Sequence, residues 1–342
     1  MAANLQGCYR LIHVIGSGWY GCHISKVLIQ KGFNVEIWEK NNEIFLGSSS
    51  MNQNRLHLGF HYPRNYNTRK QSREGFSKFL DHYGDLTQSV NNNLYAVSNS
   101  SLVDGPTYKA IFSHEDYDFA TYDKYCDELF NIDLVIKTNE RLIRHDLAKK
   151  YWESENLPIN FNEEILSNKN NIFTADGKKI NQPNDLIIDC TWGASNQNKA
   201  YFEQFFITYI IKFSRDLPFG AFTLMDGPFF SIFPYGNPED NLFTLTHVKY
   251  GVIKTAEIDH EKKNELFSEI LIDLKKYLQI DASSISLIDT FISRKLKPNS
   301  VSDARDTNVI FNEQKNYASV YSGKIDTIFH SVDLINQKLN LF

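Results

Sequence analysis

Residues 11–40 read LIHVIGSGWYGCHISKVLIQKGFNVEIWEK, and this stretch decides the fold. An apolar run (Leu11, Ile12, Val14, Ile15) leads into Gly16-x-Gly18-x-x-Gly21. Helical spacing follows at Ile24, Val27 and Leu28 up to Gly32, and a second apolar run (Phe33, Val35, Ile37, Trp38) stops at Glu39. Strand, glycine turn, helix, strand and acid, in that order, make a dinucleotide-binding βαβ unit. Gly16 permits the tight turn, Gly18 lets the backbone approach a pyrophosphate, and Gly21 lets helix and strand pack closely. The helix N-terminus offers N–H groups and the positive end of its dipole to phosphates. Glu39, eighteen residues beyond Gly21, stands where a carboxylate accepts hydrogen bonds from ribose hydroxyls. The expected nucleotide contacts are Ile15, Gly16, Ser17, Gly18, Tyr20 and Gly21 at the turn, with Glu39 and Lys40 at the end of the second strand.

Working outward, 342 residues are enough for a large core and two domains. A hydrophobic fraction of 42% with 23% charged residues is that of an ordinary globular protein. The net charge of -5 and the lack of a long basic run exclude a nucleic-acid footprint. Cys8, Cys22, Cys126 and Cys190 are scattered, with neither a CxxC nor metal-ligand spacing, so reduced thiols and no metal are expected. No apolar run approaches the ~20 residues that span a bilayer, and no secretion signal precedes the first strand, which predicts a cytoplasmic protein without membrane insertion.

After a glycine- and serine-rich turn at 47–50, helical spacing covers 67–83, and strands are predicted at 93–97, 108–112 and 134–136 as an inserted sheet. A helix at 146–153 and a strand at 157–161 precede a hairpin, 171–174 with 178–180, around Asp176-Gly177. A buried strand at 186–190 ends in the small-residue turn Thr191-Trp192-Gly193-Ala194-Ser195. Strands at 219–224, 229–233 and 242–248 then precede a helix at 261–278. The last segment predicts a strand at 317–321, a turn at Ser322-Gly323-Lys324 and a helix over 325–339. A second strand–glycine–helix corner so late in the chain implies a nucleotide domain gathered from distant segments: 1–85, 137–200 and 300–342. Residues 86–136 and 201–299 form the other domain.

That order of motifs resembles the FAD-dependent oxidoreductases of the D-amino-acid oxidase superfamily, closest in pattern to L-2-hydroxyglutarate dehydrogenase-like and glycine/sarcosine oxidase-like members. Gly16, Gly18, Gly21 and Glu39 match the family's FAD fingerprint. Residues 48–55, SSSMNQNR, match the segment leading to the isoalloxazine, and 55–62, RLHLGFHY, look like the "VIHxGxYY" stretch of the hydroxyglutarate enzymes. Residues 185–193 look like the family's "DxVVxAxG" strand, filled unusually by Cys190-Thr191-Trp192. Gly323 and Lys324 fall where the family's last glycine loop meets the flavin pyrimidine edge. The departures are a C-terminal loop without the usual Gly-His pair, no cysteine there for a thioether to flavin, and only a loose match of 297–303 to the family's Arg-Pro-x-x-x-Asp segment.

The resemblance implies an α/β protein with a doubly wound, Rossmann-like FAD-binding domain and a β-rich, antiparallel-sheet substrate domain, the flavin lying between them. It extends the cofactor contacts to Ser49, Asn52, Asn54, Arg55, Leu56, His57, Thr191, Trp192, Gly193, Gly323, Lys324 and Ile325. His61, Tyr62 and Arg64 are the catalytic candidates: imidazole titrates near neutral pH and accepts a proton, and guanidinium grips a carboxylate or phosphate. Tyr235 and Arg294 are candidate substrate contacts, whereas Asp226-Gly227-Pro228 reads as a turn. The implied reaction is oxidation of a C–N or C–O bond in a small polar metabolite (amino acid, 2-hydroxy acid or sugar-linked amine or alcohol), with hydride passing to FAD. A flavin-dependent non-redox enzyme such as a sugar mutase, a non-catalytic FAD-binding protein and an NAD(P) enzyme stay open at this point.

Overall fold

The computed structural model describes residues 9–122, 129–168, 171–194, 201–298, 305–312, 314, 316–321 and 323–341. Ser195 and Ser322 of the expected turns, Cys8, Cys126 and most of the 297–303 segment lie outside the described residues.

The glycine unit nucleates a six-stranded sheet. Ile12–Ile15 pairs in parallel with Val35–Glu39 on one side and Leu186–Asp189 on the other. Ile159–Phe161 extends the first edge, and Tyr317–Tyr321 followed by antiparallel Asn308–Phe311 extends the second. Alternation divides the first strand: Ile12 and Val14 face helices α1 (Trp19–Gln30) and α6 (Ile328–Leu339), burying Ile24, Leu28 and Ile335. Each such side chain, fully removed from water, contributes roughly 1.5–3 kcal/mol. Ile15 and Ile187 face the other way, onto Ile165 and Ile172 of a two-stranded hairpin. One face of this sheet is therefore covered by helices and the other by strands. In that hairpin Asn171–Thr174 pairs mainly with Ile165–Asn168, and the expected return past Gly177 (φ +86°) contributes one bridge, Phe173 to Lys179.

A nine-stranded sheet forms the β-rich half. It is antiparallel except where Ala221–Met225 runs parallel to Asn93–Ser98. Its long ribbon, Tyr201–Phe213 against Ile285–Pro298, packs with α5 (His260–Leu274) over Tyr209, Phe267 and Ile270. A three-stranded sheet joins Arg55–Leu56 to Arg141–Ile143 and Thr87–Ser89.

The strand expected at 108–112 is instead part of α3 (Gly105–His114). Asp104 accepts the Thr107 N–H and Pro106 occupies the first turn, a strong local start signal, and Tyr108 and Phe112 bury one face four residues apart. The last helix begins at Ile328 rather than 325, because Ile325, Asp326 and Thr327 form a turn before it, with Asp326 and Thr327 buried. Helices α2 (Tyr66–Tyr83), capped by Asn65, and α4 (His145–Ser154) match the expected spans, whereas α5 ends at Leu274 rather than 278, where the chain turns and Leu278 bridges to Leu129. Among the described residues no helix is long and apolar enough to cross a membrane.

Candidate active site

The glycine turn is a backbone cradle. Gly16 leaves the first strand at φ +95°. A Cβ on Gly21 would lie 1.8 Å from Gly16 O, so no side chain is compatible with this approach of α1 to the strand. Gly18 caps α1 with no side-chain acceptor, and Ser49 Oγ accepts the Trp19 N–H at 3.1 Å. An uncapped helix start of this kind suits a pyrophosphate. Beside it Glu39 is buried. Its Oε2 accepts Ser17 N–H and Oγ–H (2.9 and 2.8 Å), and its Oε1 accepts Asn41 N–H and Nδ2–H (3.0 and 2.6 Å). The carboxylate is thus fixed at the turn. Ile15 is buried below, Lys40 is exposed, and Tyr20 points away: its hydroxyl donates to Lys324 O at 2.5 Å and meets Thr327 Oγ1 at 2.9 Å.

A second turn abuts the first. Cys190 N–H donates to Ile15 O, and Trp192 and Gly193 follow with φ of +56° and +74°. Thr191 donates its N–H and hydroxyl to Asp189 Oδ1 (2.9 and 2.6 Å). Arg294 Nη1 donates to Trp192 O at 3.0 Å while Nε bonds Glu203, so this guanidinium bridges the two sheets. Tyr235 stands half-buried with its ring 6.2 Å from Phe291, and burial raises its phenol.

The segment from Ser49 onward brings most of the remaining candidates together. Asn52 Oδ1 accepts Asn54 N–H at 2.5 Å, closing a turn that sets Asn54 at φ +51°. Leu56 is buried with Phe76 and Phe79, and Ile325 packs against the same cluster. Arg55 is a fully buried cation. Its Nη1 donates to Tyr95 Oη (2.9 Å) and Thr223 Oγ1 (2.8 Å) and its Nη2 to Ser231 Oγ (2.9 Å). Glu140 Oε2 lies 3.6 Å away, and the guanidinium sits 4.0 Å over the Phe233 ring. His61 Nδ1 is 2.6 Å from Tyr95 Oη, and the His57 ring stands 4.9 Å from His61, edge-on. Burial, then Lys324 and Arg55, hold His57 well below the usual imidazole range; burial, then Arg55, His57 and Lys324, do the same to His61. Both rings are therefore neutral at pH 7. Asn54 Oδ1, Arg55 Nε and His57 Nδ1 are buried without a hydrogen-bond partner among the described residues, which fits a region made to meet a polar heterocycle.

The C-terminal corner closes this region. Lys324 Nζ lies 4.6 Å over the Tyr62 ring, and Gly323 packs on Arg305, whose Cβ is 3.0 Å from where a Gly323 Cβ would stand. Lys295 Nζ sits 3.7 Å over Phe206, and burial together with Arg305, Lys297 and Lys324 pushes it down to about 7. Asp326, wholly buried, is pushed up to about 7 by burial, with Lys324 opposing. Arg64 Nε meets Asp226 Oδ2 at 2.6 Å, so the Asp226 turn carries a counter-ion for a catalytic candidate. His57, His61 and Glu140 could bring three ligand atoms within 4.8 Å of one another. Arg55 and Lys324 make that place electropositive, and Glu140 already accepts Leu58 N–H (2.8 Å) and the Tyr95 hydroxyl (2.6 Å), so the donor set does not favour a cation.

Solved structures with this fold include glycine oxidase from Geobacillus kaustophilus (TM-score 0.71, 9% identity, covering 97% of this chain and 94% of that one). Another is dithionite-reduced L-alpha-glycerophosphate oxidase from Mycoplasma pneumoniae with FAD bound (TM-score 0.71, 15% identity, 97% and 94%). In sequence the chain is 32% identical over 350 residues, 96% of its own length and 92% of the relative's, to FAD-dependent monooxygenase FPY4 of Fusarium mangiferae. The chain belongs to the family of FAD-dependent oxidoreductases that FPY4 represents, and its fold is the one those oxidases share. No family model matches it. As an FAD-dependent oxidoreductase it takes FAD as cofactor. Two prominent groups of the oxidoreductase's histidine cluster, Tyr95 and Glu140, were not among the expected site residues. Tyr95 lies in an unbroken buried strand and Glu140 in the turn between two strands, neither with a local signature of chemistry.

Proposed function

We propose that this oxidoreductase oxidises a C–N or C–O bond of a small polar metabolite: an amino acid, a 2-hydroxy acid or a sugar-linked amine or alcohol. Bound FAD supplies the hydride acceptor. In this reading the six-stranded sheet carries the FAD, with Gly16, Gly18 and Gly21 at the pyrophosphate and Glu39 at the ribose. The nine-stranded sheet carries the substrate, and the protein works in the cytoplasm. Lys324 and Arg55 set a positive potential that favours an anionic reduced ring or substrate, and Lys295, pushed down to about 7, adds only part of a charge. The observation that carries the reading is the neutral, partly buried imidazole of His61, held at 2.6 Å by Tyr95 beside the unpartnered atoms of Asn54, Arg55 and His57. Such a group takes a proton from an amine or hydroxyl as the C–H bond gives up hydride.

The test is anaerobic mixing of the yellow holoprotein with amines, hydroxy acids and nucleotide sugars. Bleaching of the flavin by one of these alone, without a nicotinamide nucleotide, is the expected result. The relative's description as a monooxygenase favours a second reading, insertion of one oxygen atom from O2 while the other leaves as water with two electrons from an external reductant such as a reduced nicotinamide nucleotide. It predicts no anaerobic bleaching by substrate alone, and product carrying label from ¹⁸O2.

A further inference from the structure

Tyr95 has one proton and three polar neighbours. Its hydroxyl oxygen lies 2.6 Å from Glu140 Oε2, 2.6 Å from His61 Nδ1 and 2.9 Å from Arg55 Nη1. A phenol offers one donor and two lone pairs, a guanidinium only donates, and a carboxylate only accepts. Arg55 is a buried cation, Glu140 is the carboxylate within 4 Å of it among the described residues, and both Glu140 oxygens serve as acceptors, Oε1 of the Leu58 N–H and Oε2 of the Tyr95 hydroxyl. The phenol proton therefore goes to Glu140. Arg55 fills one lone pair of the Tyr95 oxygen, and the contact with His61 is satisfied only if Nδ1 donates into the other. In the opposite polarity, with the phenol proton on His61, two oxygens would face each other at 2.6 Å with no hydrogen between them.

We infer that Glu140, acting through Tyr95, locks His61 in the Nδ1–H tautomer and leaves the lone pair on Nε2, the opposite ring nitrogen. Tyr95 and Glu140 are thus positioning residues for His61. The groups acting on the ring are Arg55, His57 and Lys324, which oppose its protonation, and Glu140, which favours it; with burial dominant the ring is neutral, so the tautomer is its remaining variable. The inference rests on the proposed reaction only for the use made of that lone pair, namely taking the substrate proton.

Glu140 also supplies a polarity switch. Its Oε1 accepts the Leu58 backbone N–H at 2.8 Å. In Glu140→Gln the amide oxygen stays on that N–H, so the NH2 group must face Tyr95. The phenol oxygen then accepts from Gln and Arg55 and turns its own proton to His61 Nδ1, which moves the imidazole hydrogen to Nε2. Nothing changes shape, but the base disappears.

The experiment is long-range ¹H–¹⁵N correlation on holoprotein labelled with [¹⁵N]histidine at pH 7.5, with His61 assigned by its disappearance in His61→Gln. The expected wild-type pattern has pyrrole-type Nδ1 and pyridine-type Nε2, and in Glu140→Gln the two exchange places. Should that variant not fold, Tyr95→Phe decides, because without the phenol oxygen the pattern moves to a mixture of both tautomers. A wild-type ring protonated at Nε2, or a wild-type pattern retained in the folded variant, overturns the inference. With a substrate in hand, Glu140→Gln slows flavin reduction about 10²–10⁴-fold with KM little changed. A correct tautomer with no reduction by any amine or alcohol would refute the proposed reaction and leave the lock standing.

Discussion

At the glycine turn the site is made of main chain: Gly16, Gly18 and Gly21 leave room, and Glu39 is held by Ser17 and Asn41, its near neighbours in space. At the histidine cluster it is made of side chains: Arg55, His61, Tyr95, Glu140, Thr223 and Ser231 come from four separate stretches of the sequence and complete one another's hydrogen bonds. The first region tolerates change wherever a Cβ finds space. The second tolerates little, because each group is the partner another needs in a low-dielectric interior.

Three substitutions sharpen that contrast. Arg55→Met removes the cation and leaves Glu140 buried and uncompensated, with an expected loss of about 3–5 kcal/mol read from urea unfolding. Combining it with Glu140→Gln should return much of that loss, and strict additivity of the two would break the picture of a mutually dependent network. Gly21→Ala is next, at about 3 kcal/mol, since its Cβ collides with backbone rather than with a movable side chain. It should also lose the flavin absorbance, whereas Gly47→Ala, where nothing lies within 4 Å, should keep both stability and colour. Full retention of flavin by Gly21→Ala would sink the cradle.

Asp326→Asn gives the smallest effect and a pH signature. A carboxyl raised to about 7 in the folded chain binds its proton more tightly there than when unfolded, so its contribution favours folding at low pH and is lost as pH rises from about 4 through 7. The variant should therefore gain on the order of 2 kcal/mol over wild type at pH 8 and little at pH 4, measured as thermal unfolding at both. A gain that is equal at the two pH values would show that Asp326 is not the titrating group.

The same contrast explains what could be read from the chain. The glycine turn was legible because tight backbone approach restricts residue type at fixed short spacing, and Glu39 follows at a distance set by one helix and one strand. Many strands of both sheets are legible as apolar runs, but the long ribbon Tyr201–Phe213 with Ile285–Pro298 is not among the expected strands, and at 108–112 the strand-like apolar residues belong to a helix whose start signal lies just upstream in Asp104 and Pro106. The side-chain cluster left no such trace. Arg55 follows the polar run SSSMNQN, which does not announce a buried cation, and its partner is 85 residues away among many acids, so only the folded chain selects Glu140.

The bond from Tyr20 to Lys324 O joins groups 304 positions apart, and the strand Tyr317–Tyr321 lies inside the sheet begun by Ile12–Ile15. The sheet and helix at the glycine turn are thus tied down by residues from a distant part of the sequence. A chain cut before residue 317 loses both that strand and that bond, and should bind FAD far more weakly, read as loss of flavin absorbance in the purified protein.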